Sequence, residues 1–456
     1  MLVAFSLFSG RFGGRKMKFV SKELVAKGWS SDEKYHVVDE NGQHFLLRVS
    51  KLECKARKEA EFAVMKRVEA LGLPMCHPIK QWCEQDCVYT LLDWIEGEDL
   101  ESVLPQLSEQ EQYRIGLEAG RLQRRIHSIP APPEQESWEC FYKRKAETRL
   151  QQYLDCPLKY EEDTFFIQCV RHRLPLIVGR PTVLQHGDFH CGNLMMDRHG
   201  HLRVIDFEKF DYGDPWEAFA AITWDVRLAP AFARGRVDGY FEGCPPVQFW
   251  QLLALYVSRG ILTSLPWAIP FGEKEISTMR QQANEVLRWY KDGSDIPAWY
   301  RANLEWHPLT ETDLPALLAF CQPNEEYHSY IKCTPDLKTL KRQLTVLPPE
   351  TTPEQKRFVG LWKEGQLCAI LDLILDWPEQ GKAYIGWFMV AKPLQRAGLG
   401  RWLIREVCEQ LRSNGYHTVR LGCVAANLPG LSFWQACGFA PTGEVVDDIR
   451  LMEREL

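Results

Sequence analysis

Two short motifs near the middle of the chain constrain its fold more than any other feature. The first is His-Gly-Asp-Phe-His-Cys-Gly-Asn at residues 186–193, and the second is Ile-Asp-Phe-Glu at residues 205–208. A turn-like tetrad at 198–201 lies between two short apolar runs, which predicts a hairpin of two short strands. Antiparallel pairing across this tetrad would place Asn193 opposite Asp206, with their Cα atoms about 4.5 to 5.5 Å apart.

The residue types in these motifs suit the transfer of a phosphoryl group. That reaction needs a carboxylate to orient or deprotonate the acceptor hydroxyl, and oxygen ligands that hold Mg²⁺ against nucleotide phosphates. Asp188 can supply the carboxylate, and Asn193 with Asp206 can supply the metal ligands. A turn with a solvated Asp is the plainer interpretation, but a second Asp opposite the Asn makes it less favourable. The motifs therefore predict a phosphotransfer centre.

Length and composition limit what the rest of the chain can be. With 456 residues, two or three domains are expected, because a single core rarely grows that large. The net charge of −6 gives no sign of a nucleic-acid partner, which would favour a basic face. No apolar run in the sequence is expected to reach the length of a membrane span, about 18 residues, so no membrane partner is expected. Fifteen cysteines, an odd number, indicate reduced thiols and a cytoplasmic location.

The N-terminal part carries a weaker pattern of the same kind. Ser30 lies in a small-residue loop between two strand-like segments, where backbone N–H groups can bind phosphates, although any hairpin loop looks similar. Arg48 lies near the end of the second strand, and residues 58–70 are predicted as a helix with Glu61 on its apolar face. A strand cation and a helix carboxylate form the ion pair that positions nucleotide phosphates in kinases. The alternative for Glu61 is a solvated carboxylate, since other glutamates are nearby.

Two further segments complete this part of the chain. Residues 88–92 form a buried-strand pattern that leads into Asp93 and Ile95, the connector whose backbone would meet an adenine ring in a two-lobed kinase. A capping box at 108–111 opens a helix that we interpret as scaffold.

Five carboxylates between residues 206 and 217 invite a cation-binding interpretation. Asp214 and Glu217 have a plainer role, because Asp-Pro-x-Glu is typical of a helix start with Asp214 as N-cap. With Asp206 assigned to the metal, Glu208 and Asp211 remain as candidates for contacting a cationic substrate.

Residues 17 to about 300 resemble the aminoglycoside phosphotransferase family and its relatives, which share a protein-kinase-like fold. The resemblance implies that Asp188 is the catalytic Asp, that Asn193 and Asp206 bind Mg²⁺, and that ATP or GTP is the phosphoryl donor. It also makes Glu61 the partner of a strand Lys. In this chain that Lys is replaced by Arg48, which keeps the charge but is bulkier and forks differently.

A second pattern starts after a boundary placed between about residues 293 and 305. A strand ending at Val390 leads into Gln-Arg-Ala-Gly-Leu-Gly at 395–400 and then into an amphipathic helix. A strand, a glycine-rich turn and a helix present backbone N–H groups and a positive dipole end to a pyrophosphate. A dinucleotide-binding fold is disfavoured, because it would need three spaced glycines and an acidic residue about twenty positions later.

The Gln-x-x-Gly-x-Gly spacing, with Asn427 and the Phe-Trp-Gln-Ala-Cys-Gly-Phe run at 433–439, resembles the GNAT acetyltransferase superfamily over residues 305–456. The resemblance implies acetyl-CoA as cofactor. Trp434 stands where many members carry a Tyr that protonates the leaving thiolate, and an indole is not a useful acid. The base for the amine is not identifiable, because Asp372 and Asp376 are at least as readily ordinary solvent-facing carboxylates. The residues that would contact the cofactor are Val390, Gln395, Arg396, Gly398, Gly400 and Asn427.

Together these patterns predict an α+β and α/β chain of two domains. A bilobal protein-kinase-like domain at 17–300 precedes a GNAT mixed-sheet domain at 305–456, while the place of residues 1–16 in the functional protein stays open. The leading hypothesis is a nucleotide-dependent O-phosphotransferase joined to an N-acetyltransferase, with a small cationic or hydroxylated amine as substrate. Aminoglycosides carry both acceptor groups, as do amino alcohols and amino sugars, and a kinase-like module that only regulates the acetyltransferase is a third alternative. A cut near Ser294 is predicted to release two folded pieces.

Overall fold

The structure is a computed structural model of the chain, and it divides by compactness into two units. The second unit takes in a short segment from the middle of the chain, so the chain crosses between units more than once. The units consist of Met1–Gly243 with Leu252–Val286, and of Cys244–Gln251 with Leu287–Leu456. The structure describes residues 9–12, 15–26, 32–242, 245–302, 304–363, 365–396 and 399–456, with side chains from residue 18 onward.

The compact units differ from the predicted domains in where the second one starts. Residues from Leu287 onward pack within the second unit, so the limits 17–300 and 305–456 stay a prediction. Ser294 lies between Asp292 and Arg301, whose side chains form an ion pair at 2.5 Å. A cut near Ser294 would therefore break contacts inside the second unit, which argues against that position as a clean division.

The first unit opens with an antiparallel six-stranded sheet in the order β1-β2-β3-β4-β6-β5. Alternating apolar residues form its strands, and Val37, Leu47 and Leu91 are almost fully buried on one face. The elements are β1 (Ser9–Phe12), β2 (Arg15–Leu24), β3 (Glu33–Asp39), β4 (His44–Lys51), α1 (Lys55–Glu69), β5 (Pro78–Glu84) and β6 (Cys87–Asp93).

The remainder of the first unit is mainly helical, with three short strand pairs that carry the motifs. The predicted capping box is confirmed, since Ser108 and Glu111 exchange hydrogen bonds at the start of α3. The elements are β7 (Gly97–Asp99), α2 (Leu100–Val103), α3 (Glu109–Ile126), α4 (Trp138–Leu154), α5 (Asp163–Arg173), β8 (Val183–Gln185), β9 (Leu194–Asp197), β10 (Leu202–Val204), β11 (Asp211–Gly213), α6 (Ile222–Leu228), α7 (Pro230–Phe241), α8 (Val247–Ala268) and α9 (Glu273–Trp289). The first residues of α8 and the last residues of α9 are counted with the second unit.

The β9–β10 hairpin differs from the prediction by one residue of register. Asp197 pairs with His201 through its N–H at 2.9 Å, so the loop has three residues instead of four. Gly200 takes the left-handed conformation (φ 78°) that this tighter loop requires. Asn193 consequently lies opposite Ile205, whose N–H donates to the Asn193 carbonyl at 3.1 Å, and the prediction that Asn193 faces Asp206 is wrong.

Asp214 and Glu217 do not start a helix in the predicted way. The Asp214 carboxylate is fully buried, and it accepts hydrogen bonds from Arg180 at 2.7 and 2.8 Å and from the Tyr256 hydroxyl at 2.6 Å. Glu217 forms an ion pair with Arg259 at 2.7 Å. Asp214 Oδ1 does accept from the Trp216 N–H at 3.0 Å, as a capping side chain would, but the following 3-10 helix begins only at Glu217, so the predicted helix start is wrong. Both carboxylates instead serve mainly a buried network that joins distant parts of the first unit.

The expectation that no apolar run reaches the length of a membrane span is wrong for one segment. Val247–Phe271 is long and apolar enough, by length and composition alone, to cross a membrane, with a mean hydropathy of 1.4 over its most apolar window. In that window 61% of the residues are buried inside the protein, and a core helix passes the same test.

The second unit contains a mixed seven-stranded sheet in the order β12-β13-β14-β15-β16-β18-β17. One apolar cluster covers each face, the first beneath α14 and α15 and the second beneath α11 and α13. The predicted fold class is confirmed for both parts of the chain. The elements are α10 (Ala298–Arg301), β12 (Glu305–Pro308), α11 (Leu314–Cys321), α12 (Glu325–Tyr330), α13 (Leu337–Gln343), β13 (Lys356–Lys363), β14 (Gln366–Leu375), β15 (Lys382–Val390), α14 (Leu399–Ser413), β16 (Thr418–Val424), α15 (Leu428–Ala436), β17 (Ala440–Val446) and β18 (Ile449–Glu455).

Candidate active sites

The loop that carries Asp188 is held by close backbone packing. Gly187 has φ 83°, and a Cβ at this position would stand 1.8 Å from the carbonyl oxygen of Lys209. Only glycine allows this approach, which brings the turn after Asp206 against the loop. The His186 ring, buried behind the loop, lies 2.8 Å from the Ile205 carbonyl through Nε2 and accepts from the Asp188 N–H through Nδ1 at 3.4 Å.

A fully buried ion pair anchors the other end of the same loop. The Cys191 N–H donates to the Asp225 carboxylate at 2.8 Å. Arg236 pairs with Asp225, and its Nε donates to the Gln123 side chain at 2.9 Å. The loop between β8 and β9 is thus fixed from α3, α6 and α7, which is what a precisely positioned catalytic carboxylate needs.

Asp188 has a cationic neighbour that the sequence analysis did not identify. The Nζ of Lys209 donates to Asp188 Oδ2 at 2.9 Å, and Nε2 of His190 lies 3.6 Å from Oδ1. Burial acts to raise the pKa of Asp188, but Lys209 and His190 act more strongly together and hold it below 3.8. Asp188 is therefore ionised at neutral pH and ready to accept a hydrogen bond from an acceptor hydroxyl.

The two predicted metal ligands lie at one end of the β9–β10 hairpin. The side-chain amide of Asn193 donates to the Asp188 carbonyl at 2.8 Å, which leaves its oxygen to act as a ligand. Asp206 has φ 62°, and its Oδ1 is buried with no hydrogen-bond partner among the described residues. An orphaned carboxylate oxygen and an amide oxygen on residues at the same end of one hairpin fit Mg²⁺, which takes one or two protein ligands and completes its shell with phosphates and water. The metal-ligand roles stay a prediction.

Arg48 joins the sheet to helix α1, as the kinase pattern predicts for its strand cation. It is 5% exposed, and its Nη1 donates to Glu61 Oε1 at 2.6 Å. Glu61 is 3% exposed, so the alternative of a solvated carboxylate is wrong. Arg48 also donates to Asp32 at 2.7 and 3.1 Å through Nη2 and Nε. These negative neighbours raise the pKa of Arg48 despite its burial.

A second buried cation lies in the same cluster, and the sequence analysis missed it. Lys58, one helical turn before Glu61, is 4% exposed and donates to Asp32 at 2.7 Å and to Glu61 at 3.3 Å. Glu208 contacts both Arg48 and Lys58 at 3.3 Å. Glu208, which is predicted to contact a cationic substrate, therefore already binds two cations of the protein itself.

Helix α1 also holds the turn after Asp206 by its backbone. The Nη2 of Arg57 donates to the carbonyls of Glu208 and Phe210, each at 2.7 Å. The Arg57 guanidinium lies 3.9 Å from the centre of the Phe210 ring. The backbone on either side of Lys209 is therefore fixed from the first lobe.

The remaining predicted residues of this half have separate locations. Ser30 lies outside the described residues. The Asp93 N–H donates to the His77 carbonyl at 3.0 Å, so this N–H is not available to an adenine ring, whereas Ile95 packs against the main core. Asp211 is exposed and accepts from the Tyr212 N–H at 2.8 Å. Their predicted roles stay predictions.

In the second unit, two parallel strands separate at the position expected for a cofactor. β15 pairs with β16 only from Lys382 to Ile385, although β15 continues to Val390. Opposite this point, β14 and β15 shift register between Asp372 and Leu373, which marks a β-bulge. The last residues of β15 thus have a strand edge turned away from β16, where an extended ligand with amide groups can form main-chain hydrogen bonds.

The turn after β15 leads directly to the N-terminus of α14. Gln395 donates through Nε2 to the Val390 carbonyl at 2.9 Å and to the Asn324 side chain at 2.6 Å, and Arg396 has φ 60°. Gly398 lies outside the described residues. A Cβ on Gly400 would stand 3.1 Å from the Phe433 ring, so the start of α14 packs tightly there. The turn and helix provide the N-terminal end that suits a pyrophosphate.

Two other residues singled out from the sequence on this side have capping or packing contacts, and the predicted cofactor contact of Asn427 stays a prediction. Asn427 caps α15, since its Oδ1 accepts from the Gly430 N–H at 2.9 Å. Trp434 is buried against Phe388, Phe433 and Phe439. The indole of Trp434 therefore belongs to the core, which agrees with the expectation that it is no acid for the thiolate.

Asp372 is not the solvent-facing carboxylate that the sequence alternation favoured. It is 3% exposed, and its oxygens accept from Lys356 at 2.7 Å and from Gln343 at 3.0 Å. Burial outweighs these partners and raises the pKa of Asp372. The missed signal was Lys356, which lies on the neighbouring strand β13 and has no fixed spacing from Asp372 in the sequence.

Comparison with known families accounts for both halves of the chain. The model of the phosphotransferase enzyme family matches residues 23–250, which is half of the chain. The model of the acetyltransferase (GNAT) family matches residues 319–439. None of the curated proteins matches the chain.

Solved structures resemble each half separately. A complex of a thermostable mutant of the aminoglycoside phosphotransferase APH(4)-Ia with AMP-PNP and hygromycin B is 17% identical, covering 58% of this chain and 92% of its own, with a TM-score of 0.45. A putative fructosamine-3-kinase from Haemophilus somnus is 13% identical, covering 60% and 93%, with a TM-score of 0.44. An acetyltransferase from Thermus thermophilus is 24% identical, covering 34% and 97%, with a TM-score of 0.31.

The family matches confirm the predicted resemblances and both enzyme classes. Membership implies use of a nucleotide by the first half and of acetyl-CoA by the second. The chain belongs to the phosphotransferase enzyme family and, with its C-terminal GNAT acetyltransferase domain, is a bifunctional transferase.

Proposed function

We propose that the enzyme phosphorylates a hydroxyl group and acetylates an amino group on one class of cationic, hydroxylated amines, of which aminoglycosides are the leading candidates. The observation that carries the proposal is Asp188, which binds Lys209 and lies in a loop packed against the turn after Asp206, whose Oδ1 is buried without a hydrogen-bond partner among the described residues. The same chain has a strand edge of β15 that does not pair with β16 beyond Ile385. A substrate that offers both an alcohol and an amine would use both sites.

In the phosphotransfer half, Asp188 orients the acceptor hydroxyl. As the hydroxyl oxygen bonds to the γ-phosphorus of ATP or GTP, the bond to the bridging oxygen breaks and the nucleoside diphosphate leaves. The hydroxyl proton passes to Asp188 as the new bond forms. Mg²⁺, held by Asn193 and Asp206, would neutralise charge on the nucleotide phosphates. Lys209 stands beside Asp188, where a cation offsets the negative charge that gathers at the transferred group.

In the acetyl-transfer half, the amine attacks the thioester carbon of acetyl-CoA and the carbon–sulfur bond breaks. The free edge of β15 aligns the pantetheine arm, and the start of α14 receives the pyrophosphate. Because Trp434 is packed in the core, we assign protonation of the thiolate to solvent. The excess proton of the amine also goes to water.

The surroundings of Asp188 support a cationic substrate with a ring. The exposed side chain of Trp224 lies with its ring centre 6.3 Å from that of His190, and offers an apolar surface to a sugar. The carboxylate of Glu101 lies 3.5 Å from where a Cβ on Gly192 would stand. Exposed Asp211 adds a further negative charge in this part of the chain. We also propose a cytoplasmic location, on the cysteine content of the sequence.

The deciding experiment is a substrate screen with the full chain. Aminoglycosides, amino sugars and amino alcohols are incubated with Mg²⁺ and ATP or GTP, with acetyl-CoA, or with both, and products are identified by mass spectrometry. We expect aminoglycosides to gain a phosphoryl group, an acetyl group, or both. If only amino alcohols or amino sugars are turned over, the substrate is a metabolite and not an antibiotic. Acetylation that depends on bound nucleotide, without any phosphorylated product, would instead favour the regulatory alternative.

A further inference from the structure

The charge cluster around the strand cation Arg48 contains a second cation and several carboxylates. It holds two cations, Arg48 and Lys58, and three carboxylates, Asp32, Glu61 and Glu208. Glu61 and Glu208 each bridge the cations, with one oxygen directed at Arg48 and the other at Lys58. The cluster therefore carries one more negative than positive charge.

Asp32 differs from the other two carboxylates in how it is bound. Its Oδ2 accepts from Arg48 Nη2 at 2.7 Å, Arg48 Nε at 3.1 Å and Lys58 Nζ at 2.7 Å. Three cationic N–H donors converging on one anionic oxygen form the arrangement that proteins use for a phosphate oxygen. Asp32 also belongs to the segment 28–35, which the sequence predicts as a phosphate-binding loop.

From this geometry we propose that Lys58 is a second nucleotide-phosphate-binding cation and that Asp32 occupies the phosphate position in the nucleotide-free protein. The inference rests on the proposed nucleotide-dependent phosphotransfer. On binding, a phosphate oxygen takes the place of Asp32 Oδ2 and receives hydrogen bonds from Lys58 and Arg48. Asp32 is displaced from this position when the phosphate oxygen binds.

The distances explain why Lys58 is needed in addition to Arg48. Arg48 has a 2.6 Å bond to Glu61 that ties it to helix α1 whether or not a nucleotide is present. The contacts of Lys58 with Glu61 and Glu208 are both 3.3 Å, and its one short bond is to Asp32. When Asp32 leaves, Lys58 therefore exchanges its strongest partner for the phosphate. A compact ammonium on a flexible stem suits this role, while the planar fork of Arg48 suits a fixed link.

The alternative is that Lys58 only holds α1 against the sheet. Both roles predict that loss of Lys58 impairs nucleotide binding. They differ in whether the loss of affinity depends on the phosphate groups of the ligand. A phosphate-binding Lys58 affects the affinity for ADP and leaves that for adenosine unchanged. A purely structural Lys58 would affect both ligands together, because a displaced α1 disturbs the whole nucleotide site.

The first test measures the binding of Mg²⁺–ADP and of adenosine to the full chain by calorimetry. In Lys58→Met we expect the Kd of ADP to rise by at least about tenfold, as for a lost charge-assisted hydrogen bond, and the Kd of adenosine to stay within twofold, about the error of such a comparison. Lys55→Met is the matched control, since Lys55 lies on the same helix in an exposed pair with Glu59. Equal loss of ADP and adenosine binding, or no loss of either, would overturn the assignment of Lys58.

The second test removes the negative charge of Asp32, which occupies the proposed phosphate position. Asp32→Asn should lower the Kd of ADP by several-fold, because the nucleotide no longer competes with a carboxylate, and should leave adenosine binding unchanged. If Lys58→Met fails to fold, the double variant Asp32→Asn/Lys58→Met keeps the cluster's net charge and should bind ADP at least about tenfold more weakly than Asp32→Asn. Unchanged or weaker ADP binding in Asp32→Asn would overturn the role of Asp32. The wild-type chain is titrated first with Mg²⁺–ADP and with Mg²⁺–GDP, and the diphosphate that binds more tightly is used together with its nucleoside. Failure of the wild-type chain to bind either diphosphate would refute the proposed phosphotransfer itself, so the two failures are distinguishable.

Discussion

The two sites of this enzyme differ in whether side chains or backbone groups form them. The phosphotransfer site consists of charged side chains that are buried and bonded to one another, such as Asp188 with Lys209 and Arg48 with Glu61. The proposed acetyl-transfer site is mainly backbone: the edge of β15 beyond Ile385 and the start of α14. The first therefore depends on the identity of a few side chains, whereas the second depends on a backbone path that bulky residues would block.

The largest effect is expected from Asp188→Asn. Because the metal ligands are other residues, nucleotide binding should persist while phosphotransfer falls by on the order of 10² to 10⁴, the usual contribution of a positioned general base. Acetylation should not change. Steady-state assays of both activities check this, with the exposed Asp155→Asn as control. Near-wild-type phosphotransfer in Asp188→Asn would remove this residue from the mechanism.

Lys356→Met tests whether charge also matters in the second unit. It leaves the buried Asp372 without its cation, which should lower the free energy of unfolding of this unit by about 3 kcal/mol. Urea denaturation followed by tryptophan fluorescence measures the change. The variant Lys356→Met/Asp372→Leu removes the stranded charge and should recover part of the loss. A single variant as stable as wild type would mean that Asp372 is protonated in the native protein.

Gly400→Val tests the backbone character of the acetyl-transfer site. A side chain there would press on the Phe433 ring and shift the start of α14, so the KM for acetyl-CoA should rise on the order of 10²-fold, as for an ångström-scale displacement. Ser413→Val, at the far end of the same helix, is the control. Coenzyme A binding unchanged by calorimetry would show that the cofactor does not use this turn.

Lys209→Met should reduce phosphotransfer by about tenfold, as expected for one charge-assisted hydrogen bond. Burial acts to raise the pKa of Asp188 and Lys209 acts to lower it, so removing Lys209 moves this pKa upward. Asp188 works as the ionised form. The acidic limb of the pH profile of kcat/KM should therefore shift to higher pH than in the wild type, while Lys66→Met should leave it in place. An unshifted limb would mean that Asp188 is not the group that titrates.

The smallest effect concerns communication between the two activities. Each half carries its own cofactor motif, so nucleotide affinity should change by less than about twofold when acetyl-CoA is saturating, well below usual allosteric coupling. Calorimetry with ADP, with and without acetyl-CoA, measures this. A several-fold change would show that the two sites are coupled.

The residues that the sequence allows one to predict are those whose chemistry requires a fixed spacing, and their roles stay predictions. Asp188, Asn193 and Asp206 stand out because phosphoryl transfer needs those residue types in that order. Lys58 and Lys209 were missed, because a lysine on a helix or turn gains its role only from what packs against it. Tertiary contacts also decided the burial of Asp372 and Asp214, where local pattern rules predicted exposure and capping.

The hairpin shows a smaller limit of the same kind. Counting residues between two apolar runs indicated a four-residue turn, whereas the left-handed Gly200 closes a loop of three. One residue of register decides which side chain faces which, and the strand pattern alone does not specify it. The backbone path that separates β15 from β16 likewise has no residue signature beyond the turn that follows it.

The grip of Arg57 on the carbonyls of Glu208 and Phe210 bears on how this enzyme is controlled. Protein kinases are controlled in part by moving the helix that carries the carboxylate paired with the strand cation. Here that movement would break two backbone hydrogen bonds together with the ion pairs of Lys58 and Glu61. We therefore expect α1 to stay against the turn after Asp206 whether or not a nucleotide is bound.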